Sequence, residues 1–260
     1  MDKIAICYTC CGPTYRKTSR DKLINLHEDN EDIFYFVITE DVDYFKDIQR
    51  KNLIVKNLKD FYDEYPHIDK YEPYLESSSE DDYAKKFIET NYRFPFSVNR
   101  FNLLLAEKYG IKNIALLGTD TDIFIDVYKT LKPKPNTIYN TVSRWYETID
   151  NNNMMIIVEA LKSKFNLNVS NEVMAFDAAG KLFCFSSTDY MIKFFEIWDY
   201  IIKYIYDTNN MHLFQGSYAV NNEFILAPIY NALSMVGPEH DVSNLFHAKH
   251  DPEKERFWMC

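Results

Sequence analysis

The sequence predicts an α/β fold in which a doubly wound, mostly parallel sheet is flanked by helices. Two short apolar runs near the start, Lys3–Tyr8 and Ile33–Thr39, lack strict alternation, which is typical of strands covered on both faces. Ile114–Leu117 in mid-chain has the same character. Long helical patterns separate these runs, and parallel strands require such crossover connections.

Composition favours a single domain spanning residues 1–260. The chain is 47% apolar, which is enough for a full core, and its net charge of −10 argues against a nucleic-acid partner. The N-terminal residues carry no secretory signal, and charged residues interrupt the apolar stretch Met191–Tyr206, which excludes a membrane span there. Five cysteines, an odd number, indicate a reducing compartment, so we expect a cytoplasmic protein.

The first half of the chain begins with a strand–loop–helix unit. Its loop, Thr9–Thr14, has one glycine and matches neither GxGxxG nor a P-loop. Thr18 or Ser19 is predicted to cap the following helix, which runs to about His27. A short third strand is expected at Leu53–Val55.

An acidic stretch, Asp60–Asp82, then breaks the pattern with two prolines and a run of serines. We predict that it is a solvated surface insertion, and its four tyrosines leave a role as a lid open. A helix at Ser97–Tyr109 follows and should stop at Gly110. The later elements are predicted as a strand at Thr137–Val142, a helix at Met154–Phe165, two short strands around a glycine turn within Val173–Phe185, a helix at Asp189–Asp207 and another at Asn221–Ser234.

Two carboxylates follow the mid-chain strand directly. Gly118 lets the backbone leave the sheet, and Asp120 and Asp122 then arrive just past the carboxyl end of the strand, where ligands bind in open α/β sheets. Residues i and i+2 of an extended segment point the same way, so both carboxylates can face one Mg²⁺ or Mn²⁺ ion. A turn capped by its own aspartates explains the same pattern.

A CxxC spacing occurs at Cys7-Tyr8-Thr9-Cys10, but no second pair completes a zinc site. The first predicted strand runs through this motif. We therefore interpret the two cysteines as buried thiols.

The order of these features resembles that in GT-A fold glycosyltransferases. The matching features are the βαβ start, the mid-chain Asp-x-Asp motif, and the later Ala-Ala-Gly turn, long helix, Asn-Glu segment and C-terminal histidine. The pattern is most similar to the glycogenin-like and lipopolysaccharide galactosyltransferase group, and it covers most of the chain outside the acidic insertion. The resemblance implies a GT-A-like sheet, a nucleotide-sugar donor, favoured as UDP-linked, a carbohydrate acceptor, and Mn²⁺ or Mg²⁺ bound by a DxD motif.

Carried over residue by residue, the resemblance assigns Asp120 and Asp122 to the metal and the donor diphosphate. His247 resembles the third metal ligand, although the relatives' Gly and Lys-Pro-Trp after this histidine are missing, so His250 stays an alternative. The resemblance also implies that Tyr8 and Thr9 contact the nucleotide, and that Arg100 and Lys249 (or Lys254) contact the diphosphate. On the acceptor side it implies Asp177, Gly180 and Glu223. Of these, Glu223 and Asp177 are the candidate catalytic residues.

Two other functions remain open. A haloacid-dehalogenase-type phosphatase also places Asp-x-Asp after a strand, but normally after the first strand and followed by Thr or Val, whereas Ile123 follows here. A GT-A scaffold that only binds glycan or protein fits the weak tail motif. The donor sugar, the acceptor and the stereochemical outcome are not encoded in any pattern that we can identify.

Overall fold

The fold is seen in a computed structural model that describes residues 2–10, 13–25, 31–64, 94–117, 121–122, 132–140, 151–169, 184–208, 210, 228–234 and 247–248.

The strands in the described residues are β1 (Ile4–Thr9), β2 (Ile33–Thr39), β3 (Leu53–Asn57), β4 (Asn113–Leu117), β5 (Thr121–Asp122), β6 (Tyr139–Asn140), β7 (Cys184–Ser187) and β8 (His247–Ala248). Six of them form the main sheet, in the order β3-β2-β1-β4-β7-β6. β1 to β4 are parallel, and β7 pairs antiparallel with both β4 and β6. A separate antiparallel pair joins β5 to β8.

Helices cover both faces of the main sheet. In the described residues they are α1 (Pro13–Asn25), a 3-10 helix (Val42–Phe45), α2 (Leu58–Glu64), α3 (Phe94–Lys108), α4 (Asn151–Phe165) and α5 (Thr188–Asp207). One face of the sheet packs against α2 to α5 and the short helical segment 228–232, and its cluster includes Phe61, Leu103 and Trp198. The other face packs against α1 and the 3-10 helix, through Leu23 and Phe45.

The predicted fold class, a mostly parallel α/β sheet flanked by helices, is confirmed, and the topology is consistent with a GT-A-like fold. The apolar runs without alternation are explained by the two covered faces. In β1, Ala5 and Cys7 belong to the cluster on the α3 side, whereas Ile4, Ile6 and Tyr8 belong to the cluster on the α1 side. The side chains of Ile4 to Tyr8 are thus all buried, whichever way they point.

The predicted start of the first helix is wrong. α1 begins at Pro13, and Ser19, which was predicted as a possible cap, is fully buried in the middle of the helix. Proline is tolerated in a first helical turn because the N–H groups there have no intrahelical partner. Arg16 of α1 donates a hydrogen bond from Nη1 to Oε2 of Glu40 at 2.9 Å, which links the helix to the chain just after β2.

The end of α3 is confirmed at the predicted glycine. Gly110 has a φ of +65°, and its N–H donates to the carbonyl of Glu107 while that of Ile111 donates to the carbonyl of Ala106. This pair of hydrogen bonds is the Schellman motif, which satisfies carbonyls at the helix end. The N–H of Lys112 then donates to the carbonyl of Lys3, so α3 ends at the amino edge of β1.

α2 overlaps the beginning of the acidic stretch that was predicted as an insertion. Phe61 in this helix is fully buried, and its ring centroid lies 5.4 Å from that of Phe101 in α3. The rest of the acidic stretch lies outside the described residues. Among the helices that the structure describes, none is long and apolar enough to cross a membrane.

Candidate active site

The carboxyl ends of β1 and β4 lie side by side in the centre of the main sheet. The strands are parallel, and Tyr8 in β1 is the Cα partner of Leu117, the last residue of β4. Chain segments that leave the two strands therefore start from one edge of the sheet. In open α/β folds this is the edge at which ligands bind.

The β5–β8 pair brings together two of the predicted metal ligands. Asp122 in β5 is the Cα partner of His247 in β8, and Thr121 is the partner of Ala248. Directly opposed residues of an antiparallel pair have Cα atoms about 4.5 to 5.5 Å apart. A register shifted by one residue would place Ala248 opposite Asp122 instead. The backbone therefore pairs the predicted aspartate with the histidine favoured from the sequence.

Arg100 lies in the first half of α3, on the half of the helix distant from the amino edge of the sheet. Eight residues separate it from Lys108 at the end of the helix, which corresponds to about 12 Å along the axis. β4 advances about 13 Å from Asn113 to Leu117. Because α3 ends at the amino edge, the half of the helix that holds Arg100 lies toward the carboxyl end of β4, and Asp120 and Asp122 follow β4 in the sequence.

The guanidinium of Arg100 carries an unpaired nitrogen. Its Nη1 atom is buried and, in the structure as described, has no hydrogen-bond partner. A buried donor without an acceptor costs free energy. An anionic group bound next to this nitrogen would remove the cost, so the position suits a phosphate contact.

The two residues predicted to hold the nucleotide end β1. Tyr8 is 2% exposed and belongs to the core cluster on the α1 side. The backbone of Thr9 completes the strand opposite Ile38. The structure therefore places both residues at the expected edge of the sheet, with the Tyr8 ring packed in the core. Their contact with a nucleotide stays a prediction.

The other predicted site residues, Asp120, Asp177, Glu223 and Lys249, lie outside the described residues, as do Gly180, His250 and Lys254. The side chains of Asp122 and His247 are likewise not described. Among the side chains that are described, no three His, Cys, Asp or Glu groups converge as a metal site.

The CxxC cysteines are buried free thiols, as expected. Cys7 belongs to the core cluster on the α3 side, whereas Cys10 belongs to the cluster on the α1 side. Two thiols on opposite faces of one sheet are poorly placed to bind one metal ion. The thiol of Cys10 donates a hydrogen bond to the carbonyl of Tyr8 at 3.7 Å. Burial raises the pKa of Cys10 to about 12, so the thiol is protonated and inert at neutral pH.

The sequence analysis did not identify two buried polar residues of α3 that are close to Arg100 in the sequence. Asn99 and Asn102 are 2% and 0% exposed, and both carry amide atoms without hydrogen-bond partners in the described part of the chain. They share a helix face with Leu103 and Ala106, which are also fully buried. The signal for these residues was available, because asparagines at the i and i+3 positions interrupt the apolar face of a helical pattern.

Comparisons with known proteins find matches among solved structures only. No protein-family model matches the sequence, and no curated protein sequence matches it. One of the solved structures that match is the crystal structure of mouse xyloside xylosyltransferase 1 in its apo form. The TM-score is 0.43 and the sequence identity 9%, over 92% of this chain and 83% of that chain. A likeness at this level does not indicate activity or substrate, which must be inferred from the residues of this chain.

Proposed function

We propose that this protein is a metal-dependent glycosyltransferase that moves a sugar from a nucleotide-sugar donor, UDP-linked, to a hydroxyl of a glycan or another acceptor. The observation that carries the proposal is the β5–β8 register, in which Asp122 lies opposite His247. The family resemblance assigned both residues to one metal ion, with His250 as the alternative to His247. Their backbones meet although they lie in distant parts of the chain.

The proposed metal ligands suit a divalent ion of the Mn²⁺ or Mg²⁺ type. Asp120 and Asp122 offer hard carboxylate oxygens, and His247 offers an imidazole nitrogen, which favours Mn²⁺ over Mg²⁺. Three protein ligands leave room for two phosphate oxygens of a donor. When bound, such an ion stabilises the negative charge that develops on the leaving diphosphate as the sugar–phosphate bond breaks.

Arg100 supplies the second element of diphosphate recognition in this proposal. Its buried Nη1 lacks an acceptor among the described residues, and the residue lies in the half of α3 that is directed toward the carboxyl end of β4. Arginine binds phosphate through parallel N–H groups and keeps its charge when it is partly buried. Lys249, two residues after His247, is proposed to add a further positive charge beside the same phosphates.

The remaining roles complete the proposal. Tyr8 and Thr9 at the end of β1 contact the base and ribose. Asp177 and Glu223 are proposed to bind the acceptor, and an inverting enzyme would use one of them as the general base. A retaining enzyme needs no such base, so the two reaction courses differ in their dependence on these carboxylates.

A haloacid-dehalogenase-type phosphatase fits the chain less well. In that class the Asp-x-Asp motif normally follows the first strand. Here β1 is followed by Cys10, which is buried, and the Asp-x-Asp motif comes in mid-chain. A scaffold that binds glycan or protein without catalysis would have no need for both carboxylates of the Asp-x-Asp motif, Asp120 and Asp122. One experiment distinguishes both alternatives from a transferase.

The experiment measures the melting temperature with UDP, GDP and CMP, each with and without Mn²⁺. A glycosyltransferase should be stabilised by one nucleoside diphosphate only when the metal is present. Asp122→Ala should lose this response. Glu107→Ala, which removes an exposed carboxylate at the far end of α3, should keep it. Absence of a metal-dependent response in the wild-type protein would contradict the proposal, and hydrolysis of a phosphate monoester would favour the phosphatase.

A further inference from the structure

α4 has one buried side and one exposed side that carries a large apolar residue. The helix packs mainly against α5, and its buried residues in the core cluster are Ile157, Ala160 and Leu161. On the opposite side Met155 is 63% exposed, the highest value among the exposed large apolar side chains of the described residues. Glu159 and Lys162 follow at the i+4 and i+7 positions and are exposed too. These three residues form one stripe along the outer side of the helix.

Aromatic rings lie beside this stripe, where α4 meets α5. The ring centroid of Phe165 in α4 lies 5.3 Å from that of Tyr200 in α5, and the centroid of Tyr204 lies 6.1 Å further on. All three side chains are half-buried, and Nζ of Lys164 lies 5.9 Å from the Tyr200 centroid. Burial raises the pKa of Tyr204, and the carboxylate of Glu159 raises it further. The stripe and the rings therefore belong to one surface.

This surface has the composition of a protein–protein interface. Single exposed apolar residues are normal on a folded protein, but Met155 shares its surface with three half-buried aromatic rings. Tyrosine, phenylalanine and methionine are enriched at interfaces, where aromatic anchors are surrounded by a polar rim. We call this surface the α4–α5 face, and its residues are Met155, Glu159, Lys162, Lys164, Phe165, Tyr200 and Tyr204.

The charges of the α4–α5 face indicate which partner it fits. Glu159 and Lys162 carry opposite signs and lie one turn apart on the exposed side of α4. A nucleic acid would favour positive charge alone. In a two-fold interface the same patch meets itself, so each contact occurs twice with its residues exchanged. Two antiparallel copies of α4 can therefore bring Glu159 of each copy to Lys162 of the other.

We propose that the protein forms a two-fold symmetric dimer through the α4–α5 face. A second copy of the chain covers Met155 and the tyrosine rings, and Glu159 pairs with Lys162 across the axis in both directions. The inference does not depend on the proposed function. An interface of two helices from each copy is at the small end of specific interfaces, so the dissociation constant should be on the order of micromolar.

The test measures the mass of the full chain by sedimentation velocity from about 1 μM to about 300 μM, a range that includes such a dissociation constant. The wild-type protein should change from a species of 30.9 kDa to one of twice this mass as the concentration rises. Met155→Glu should weaken the association by at least about tenfold, because each dimer would bury two additional carboxylates.

A charge exchange tests the pairing across the axis. Glu159→Lys and Lys162→Glu each bring like charges together, and each should weaken the dimer by about tenfold because symmetry applies the change twice. The variant with both changes restores the two pairs and should associate as the wild type does. A role of these residues within one copy would alter the melting temperature but not the dissociation constant of the dimer.

Ile24→Glu is the matched control. Ile24 is 48% exposed in α1, and α1 covers the other face of the sheet. This variant introduces the same carboxylate on an exposed helix and should leave the dissociation constant unchanged. The melting temperature of every variant shows whether it is folded. If Met155→Glu does not fold, the charge exchange carries the test alone.

Three results would overturn the proposal. The wild-type protein could sediment as a monomer at every concentration. It could form a dimer that Met155→Glu and both single charge variants leave intact, which would place the contact elsewhere on the surface. It could also remain monomeric and bind an oligosaccharide that Tyr200→Ala no longer binds, which would assign the aromatic rings to a carbohydrate instead of a second copy.

Discussion

Asp122 in β5 and His247 in β8 are Cα partners across an antiparallel pair, although most of the second half of the chain separates them. The pair is only two residues long on each side. Isolated two-stranded pairing is marginally stable at best in water. An ion bound by both residues would therefore stabilise this pairing substantially.

The first prediction is that a metal ion couples these two residues. Asp122→Ala and His247→Ala should each weaken Mn²⁺ binding by at least about tenfold, because each removes a ligand and loss of an outer-shell partner alone costs about 10 to 100-fold. Isothermal titration with Mn²⁺ in the presence of UDP measures the affinities. Wild-type Mn²⁺ affinity in either single variant would show that the two side chains do not share an ion.

The second prediction concerns Arg100. Arg100→Ala should weaken UDP binding by about 2 kcal/mol, or roughly thirtyfold, since it removes hydrogen bonds to a charged group. Arg100→Lys should recover only part of this loss, because an ammonium does not reproduce the paired N–H groups of a guanidinium. The melting temperature without ligand provides the control. A variant that melts at a lower temperature but binds UDP normally would assign Arg100 to packing.

Apolar runs in the sequence predict most of the strands of the fold. Where a predicted element boundary is wrong, the reason lies in the local sequence. β2 runs over Ile33–Thr39 as predicted, because a strand buried on both faces leaves a continuous apolar signal. The start of α1 was misplaced, because Thr18 and Ser19 have the chemistry of a cap whereas Pro13 gives only a weak start signal.

The candidate site was harder to predict for a different reason. A two-residue strand such as β5 or β8 has no measurable periodicity, so the pairing of Asp122 with His247 cannot be inferred from spacing. The family resemblance suggested the two residues but not their register. Asn102 was missed because asparagine within a helical pattern is normally taken as an exposed position.

The third prediction concerns the end of α3. Gly110 has a φ of +65°, and a Cβ added there would meet no atom within 4 Å. Gly110→Ala should therefore destabilise the protein by about 1 kcal/mol through backbone conformation alone, which lowers the melting temperature by about 2 to 4 °C. Gly110→Asn should cost less, because asparagine tolerates this conformation better. Equal melting temperatures for the alanine variant and the wild type would contradict this account.

The fourth prediction concerns the pH dependence of stability. Burial raises the pKa of Cys10 from 9.0 to about 12, so the folded protein holds this proton more tightly than the unfolded chain. The contribution is fully present below pH 9 and is lost between pH 9 and pH 12, with a slope of up to about 1.4 kcal/mol per pH unit. Urea unfolding of the wild type and Cys10→Ala across this range isolates the effect, and identical pH slopes would exclude it.

The last prediction concerns the C-terminal tail, Asp241–Cys260, which we propose closes over the donor site. β8, within this segment, already pairs with β5 beside the proposed metal position. Metal and nucleotide bound together would strengthen that pairing and exclude water from the reacting groups. UDP with Mn²⁺ should therefore slow proteolytic cleavage within the tail, whereas UDP or Mn²⁺ alone should slow it less. The rate of cleavage at each site is measured by mass spectrometry of the fragments, with His247→Ala as the comparison. Protection that is equally strong in His247→Ala, or cleavage that is unchanged by the two ligands in the wild type, would mean that the tail does not close through the metal.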